Sequence, residues 1–343
     1  MAMTARSFIT RGLVISGAVA ATLPLRAHAA IVFQVSFNDP GSLYSPYYSR
    51  IRSNLLSAGN EWASHFSSSY SASVQVQLSF ADIATADGAS VTNSYVGMSG
   101  GFSTYEQGAA YEIRTGIDPN GSAPDVRITI GRNGYLQNEL WFDPYPNRQS
   151  AAVPLNRTDA RSVFLHELGH AFAFNGWRNG QTGALPGGYQ STFDAWVTTE
   201  TFQGQPQLFF TGNSASSLYG GPVPLTFGNY SHFGNLEPRP GSTLIQDLMN
   251  GLSFYRGSRY HVSPLDLAIL ADTGFPTISN GAGIGAAGAP IVAAAPLAQA
   301  VAEPSTSVLA MGGLFALMWI RKRAKDREGD RSFNRPQQCP CEP

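Results

Sequence analysis

The spacing of apolar and polar residues along the chain changes period several times, and each change marks an element. Residues 31–37 (IVFQVSF) predict a strand, and 73–80 (SVQVQLSF) a second, with Val74, Val76, Leu78 and Phe80 on one face. Residues 125–131 (DVRITIG) alternate in the same way, and 139–146 (ELWFDPYP) read as a short apolar strand ended by proline. After an Asp39-Pro40-Gly41 turn, Ile51, Leu55, Leu56 and Trp62 recur at helical spacing, which predicts a helix over 46–65. A second helix is predicted at about 159–174, with Thr158 or Asp159 as its cap. A third spans 263–274: Ser263 caps it, Pro264 suits its first turn, Asp266 completes a capping-box pair and Gly274 ends it. The region to about residue 105 is rich in Gly and Ser. The passage between Gly176 and His232 is long, polar and Gly-rich; within it 191–199 (STFDAWVTT) is a short helix or strand, and Asp194 is exposed or structural rather than catalytic. The mixture predicts an α+β protein.

The second helix carries the chemistry. Within SVFLHELGHAFAFNG, residues 162–176, stand His166, Glu167 and His170, the pattern H-E-x-x-H. Residues four apart share a helix face, so both imidazoles can reach one metal ion, and Glu167 can reach a water beside it. Val163, Phe164, Leu165, Leu168, Ala171 and Phe172 bury the helix on both sides of that face. With six His in the chain, chance predicts on the order of 0.003 such matches. Neutral nitrogen ligands, an open position and a carboxylate base are what a Zn²⁺ hydrolase requires.

Two histidines leave the metal one protein ligand short. His28 falls in a leader segment and His65 at the end of the first helix, which leaves His232 (GNYSHFGN) and His261 (SRYHVSP). HELGHAFAFNGW, SHFGN, DLMNG and VSPLDLAILADTGF, taken in succession, resemble the blocks of metzincin-type metallopeptidases, nearest to a secreted bacterial branch with leishmanolysin-like spacing. The resemblance implies a zincin fold: a twisted mixed sheet and an active-site helix above a loop-rich lower subdomain closed by a C-terminal helix. It implies His232 as third ligand, with His261 the alternative, and Met249 in a tight turn beneath the metal. It also implies that an edge strand, 125–131 or 139–143, pairs with an extended peptide substrate. The chain departs from the short-spaced pattern, which has Gly three residues and His or Asp six residues after the second His. Here Ala173 and Gly176 occupy those positions, so the helix is expected to run on to Phe174 and turn at Asn175-Gly176. Tyr255 and Tyr260 follow Met249 without the family's spacing, and neither is assigned a role.

Composition and chain ends set the context. Thirty-six glycines and only 13% charged residues suit a loop-rich, sheet-containing exported protein rather than a helical bundle. Residues 30–320 hold 12 basic and 19 acidic side chains, a net charge near −7, which disfavours nucleic acid as a partner. Residues 1–29 read as a signal peptide: Arg6 and Arg11, an apolar core to Leu25, then Ala27-His28-Ala29. Its partners would be the Sec translocon and signal peptidase. The metallopeptidase domain spans 30–276 and holds neither cysteine; Cys339 and Cys341 are both in the tail. A Gly/Ala/Pro-rich linker follows at 277–301. Residues 302–324, with Glu303-Pro304, a short apolar run and Arg321-Lys322-Arg323, resemble the PEP-CTERM sorting signal of Gram-negative bacteria, ahead of a cytoplasmic tail at 325–343. That resemblance implies transient anchoring in the inner membrane, cleavage by an exosortase-type enzyme and release to the cell surface or matrix. The acidic, Gly-containing loop DPNGSAPD, 118–125, is a calcium candidate without EF-hand spacing.

Two functions follow from these features. One is a secreted zinc endopeptidase acting on protein or peptide. The other is a surface or matrix adhesion protein on a catalytically weak zincin scaffold, which the glycine content and sorting tail also suit.

Overall fold

The computed structural model of the chain describes residues 30–278 and 300–302. The expected leader at 1–29, the sorting residues Glu303 and Pro304, and the tail cysteines lie outside the described residues. Among the described residues, no helix is long and apolar enough to cross a membrane.

The first half contains β1 (Ile31–Asn38), α1 (Tyr48–Ser64), β2 (Ala72–Ala81), β3 (Ala86–Ser90), β4 (Asn93–Ser99), β5 (Phe102–Gln107), α2 (Gly108–Thr115) and β6 (Val126–Gly131). A four-stranded sheet runs in the order β1-β2-β6-β3. The first three strands are parallel, and β3 pairs antiparallel with β6, Gly88 opposite Ile128. Alternation decides which face is covered. Val74, Val76 and Leu78 of β2 and Val126, Ile128 and Ile130 of β6 are fully buried, while Gln75, Gln77 and Arg127 on the opposite face reach solvent. Each such apolar side chain contributes about 1.5–3 kcal/mol on burial.

In the second half, the short parallel pair β7 (Leu140–Trp141) and β8 (Thr158–Asp159) leads directly into α3 (Ala160–Phe172). Strand β9 (Tyr189–Ser191) pairs with β5. The hairpin β10 (Val197–Phe202) and β11 (Gln205–Phe210), helix α4 (Asn213–Tyr219), β12 (Val223–Pro224), β13 (Ser253–Tyr255) and α5 (Pro264–Asp272) complete the domain, and β14 (Ala300–Ala302) pairs with β13. Helices α1 and α3 lie on the apolar side of the main sheet. Phe172 packs against Phe33 at 6.4 Å and Trp62 at 5.8 Å, and the Trp62 indole donates to Leu165 O at 2.9 Å.

The α+β class is as expected, and so are the three helices. One expectation needs correction, and two regions read only by composition turn out to carry regular structure. The Gly/Ser-rich stretch to residue 105 contains β3, β4 and β5. Residues 126–131 are interior, flanked by β2 and β3, and only Leu140–Trp141 of 139–146 is strand, so neither expected segment is an edge of the main sheet; its edges are β1 and β3. The passage after Gly176 is structured, because Leu208, Phe210 and Val223 bury their side chains in the core.

Candidate metal centre

Every residue of α3 is buried, including His166, Glu167 and His170. Polar side chains in that position require partners. The helix begins with Asp159 as cap, whose Oδ2 accepts from Ser162 N at 3.1 Å and Ser162 Oγ at 2.7 Å. In its first turn the buried Arg161 guanidinium meets the Glu61 carboxylate and donates to Ser57 Oγ at 2.9 Å. Burial pushes the Glu61 carboxyl up, but hydrogen bonds from His261, Val262 N–H and Arg161 outweigh it and hold Glu61 at about 2.

The three imidazoles His166, His170 and His232 converge. Their Nε2 atoms lie 2.9 Å (His170–His232), 3.0 Å (His166–His232) and 3.1 Å (His166–His170) apart. The other ring nitrogen of each faces a carbonyl: His166 Nδ1 is 2.7 Å from Leu248 O, His170 Nδ1 2.6 Å from Phe174 O, and His232 Nδ1 3.2 Å from Asn229 O. A carbonyl oxygen only accepts, so in each ring Nδ1 carries the proton and the Nε2 lone pair points into the common space. Three nitrogens on a tetrahedral Zn²⁺ at about 2.05 Å would be about 3.3 Å apart. The donor set therefore fits a metal ion in both spacing and chemistry, and this buried triad can hold one.

A distant loop delivers the third histidine. Residues 225–233 fold back on themselves, with Thr226 N donating to His232 O at 2.9 Å and Leu225 bridging Phe233. Tyr230 ties this loop to the end of α3. Its hydroxyl donates to Asp194 Oδ1 at 2.8 Å and accepts from Arg178 N at 2.7 Å; Asp194 Oδ2 accepts from Trp177 N at 2.9 Å and Ser191 N at 3.0 Å. Burial and the adjacent Asp194 carboxylate push the Tyr230 phenol well above its ordinary value. Gly176 stands where short-spaced metzincins place their third ligand. A Cβ there would lie 2.4 Å from both Asp194 Oδ1 and Tyr230 Oη, so the anchor occupies the space a side chain would need.

Below the triad, Asp247–Asn250 is a tight turn closed by Asn250 Nδ2 donating to Asp247 O at 2.8 Å. It presents Leu248 O to His166. Met249 is fully buried, its Sδ 2.6 Å from where a Cβ on Gly169 would be. Burial pushes Asp247 up to about 6. Burial, then the neighbouring Asp247, push Asp266 at the start of α5 well above its ordinary value. Asp266 belongs to the Ser263–Asp266 capping box of α5, which is formed as expected.

Above the helix, β3 lies directly on Glu167. A Cβ on Gly88 would be 2.5 Å from Glu167 Cβ, 2.8 Å from its carbonyl oxygen and 2.9 Å from its Cα. No larger residue fits the edge strand there.

His261 lies outside the triad: half-exposed, its Nδ1 3.3 Å from Glu61. His65 is the residue after α1, and its carbonyl accepts from Ile278 N at 2.8 Å. Helix α3 stops at Phe172, two residues short of expectation. Ala173 takes φ −155°, which carries no left-handed strain, and the chain then curls so that Phe174 O reaches His170. Asp194 is fully buried, the structural of the two readings. Tyr260 Oη accepts from Tyr255 N at 3.0 Å, and burial raises that phenol to about 12. The sequence offered no signal for Tyr230, Gly88, or the carbonyls of Leu248, Phe174 and Asn229. Comparison with family models, with curated proteins and with solved structures finds no match.

Proposed function

We propose that the protein is an exported zinc-dependent endopeptidase of zincin type. The observation that carries this reading is the convergence of three Nε2 lone pairs, each fixed by an Nδ1–H donated to a main-chain carbonyl, next to a buried Glu167. His166, His170 and His232 hold the ion. Zn²⁺ held there supplies Lewis acidity toward a carbonyl oxygen and toward water. Glu167 takes the proton from the attacking water and delivers it to the leaving amine nitrogen. Strand β3, at the sheet edge beside Glu167, offers main-chain groups with which an extended peptide can pair. Signal peptidase removes the leader after Sec export, and an exosortase-type enzyme acts near Glu303-Pro304, leaving the domain at the cell surface or in the matrix.

One observation favours the second function. The triad and Glu167 are at most 7% exposed, and such burial suits a metal that serves structure in an adhesion protein. A single experiment separates the two. Metal content and casein cleavage are measured for the wild-type chain and Glu167→Gln, with and without a chelator. The endopeptidase is expected to bind one equivalent of zinc and lose cleavage to the chelator, with Glu167→Gln keeping the zinc but not the activity. Equal cleavage by Glu167→Gln overturns the mechanism, and bound zinc without cleavage in the wild type selects the second reading.

A further inference from the structure

A second group of potential ligands lies at the entrance to β6. Carboxylate oxygens of Glu112 on α2, Asp118 in the following loop and Asp125 before β6 all lie within 4.8 Å of one another. Two of the three are buried: Glu112 is 4% exposed and Asp125 fully enclosed. Each carboxylate is aimed by main-chain donors on one oxygen. Ser73 N donates to Glu112 Oε1 at 3.0 Å and Gln75 N to Asp125 Oδ2 at 2.7 Å; Asn120 N and Gly121 N donate to Asp118 Oδ1 at 2.8 and 2.7 Å.

The opposite oxygens, Glu112 Oε2 and Asp125 Oδ1, are buried with no hydrogen-bond partner. So is Asn120 Oδ1, whose side chain lies against Asp125 while its Nδ2 donates to Ala123 O at 2.6 Å. An unpartnered buried carboxylate oxygen is costly, and two in one carboxylate cluster more so. The basic residue of α2 does not relieve them, because Arg114 forks onto Glu106 at 2.6–3.1 Å. We infer that Glu112, Asp118, Asp125 and Asn120 form a binding site for Ca²⁺. The donors are all oxygen, three anionic and one amide. That is the hard set Ca²⁺ takes, and its looser geometry tolerates ligands drawn from a helix, a loop and a strand entrance, with water filling the remaining positions. Bound there, the ion fastens residues 116–125 to β2 and α2. Burial, Asp125 and Asp118 together push the Glu112 carboxyl up to about 7, the direction expected of a carboxylate cluster awaiting a cation.

The site shares no residue with the triad, so its test stands apart from the proposed peptidase activity. The full chain, dialysed into calcium-free buffer, is titrated with CaCl₂ by calorimetry and melted with and without Ca²⁺. One saturable site is expected, with Kd on the order of 10⁻⁴ M as in extracellular modules. At about 10 mM Ca²⁺ that raises Tm by about 5–10 °C. Asp118→Asn, an exposed position where the amide oxygen can keep the turn, is expected to weaken binding at least tenfold and to keep its zinc. Glu112→Gln is expected to lose the Ca²⁺ response yet melt no lower than calcium-free wild type, because it removes repulsion and retains the Ser73 bond. Absence of a saturable Ca²⁺ site, an unchanged Ca²⁺ response in both variants, or an equal or larger shift with Mg²⁺ would overturn the assignment.

Discussion

Gly88→Ala tests how β3 sits on the metal-site helix. The added methyl would lie 2.5 Å from Glu167 Cβ, 2.8 Å from its carbonyl oxygen and 2.9 Å from its Cα. Carbon atoms pack at about 3.5–4.0 Å, so the gap must open by about 1 Å. Neither side yields easily: Glu167 belongs to a buried helix, and Gly88 is paired with Ile128 across the sheet. Overpacking of this kind costs about 1–3 kcal/mol, which in a domain of this size lowers Tm by about 2–12 °C. The displaced atom is the Cβ of the proposed base, and a misplacement of about 1 Å can cost on the order of 100-fold in rate. Gly169→Ala is the matched control. Its methyl would meet Met249 Sδ at 2.6 Å and Cε at 3.0 Å, the end of a flexible thioether that can swing aside. Thermal melts and casein cleavage on both variants decide the matter. Gly88→Ala should lose more Tm than Gly169→Ala and lose most of the cleavage. A Gly88→Ala protein that melts and cleaves like wild type refutes the seating of β3 on Glu167.

Tyr230→Phe removes a hydroxyl that serves both Asp194 and Arg178 N–H; it should cost about 1–3 kcal/mol and weaken the proposed zinc binding about tenfold or more through the loop carrying His232, read by melting and zinc competition. Glu61→Gln leaves the buried Arg161 without its counter-charge and should cost about 3–5 kcal/mol in a denaturant titration at neutral pH. Because Glu61 is held at about 2, below its unfolded value, its contribution is present above pH 4.5 and is lost as pH falls through 2. Asp247, raised to about 6, has the opposite sign, stabilising at low pH and losing that contribution as pH rises through 6; Asp247→Asn should therefore raise Tm at pH 8 relative to wild type more than at pH 5. Glu112, raised to about 7, likewise makes calcium-free protein less stable as pH rises from about 5 through 7, a loss that Ca²⁺ or Glu112→Gln should reduce.

What could be read from the sequence divides along physical lines. Helices α1, α3 and α5 were legible because their periodicity and caps are local, down to the Ser263–Asp266 capping box. Strands β1, β2 and β6 were legible because one of their faces is solvent-exposed and the residues alternate. Strand β3, ADGAS, was not: Glu167 leaves no room for a side chain at Gly88, and Ala, Asp, Gly and Ser carry little strand propensity. Tertiary contact, not composition, makes it a strand. The candidate metal ligands on α3 sit at a fixed helical spacing that can be counted. The anchors that orient them cannot be counted, because three are main-chain carbonyls and the fourth is Tyr230 paired with Asp194 from a different segment.

The charge balance of the triad bears on whether a metal there would act or only brace. Structural zinc sites generally close the shell with four ligands, often thiolates that neutralise the ion. Here the two cysteines lie in the tail, and the donors are three neutral imidazoles, their Nδ1 protons given to neutral carbonyls rather than to carboxylates. Carbonyl partners push less electron density onto the ring than carboxylates would, so an ion held by these nitrogens would keep most of its +2 charge in a low-dielectric setting. Glu167, the adjacent buried carboxylate on the same helix, supplies only one unit of opposite charge. A site left electrophilic with one carboxylate beside it is suited to polarising water and passing its proton on. On this reasoning Glu167→Gln should hold zinc at least within tenfold of wild type while losing on the order of 100-fold or more in cleavage rate. If instead the variant lost its zinc, Glu167 would be balancing charge rather than moving protons.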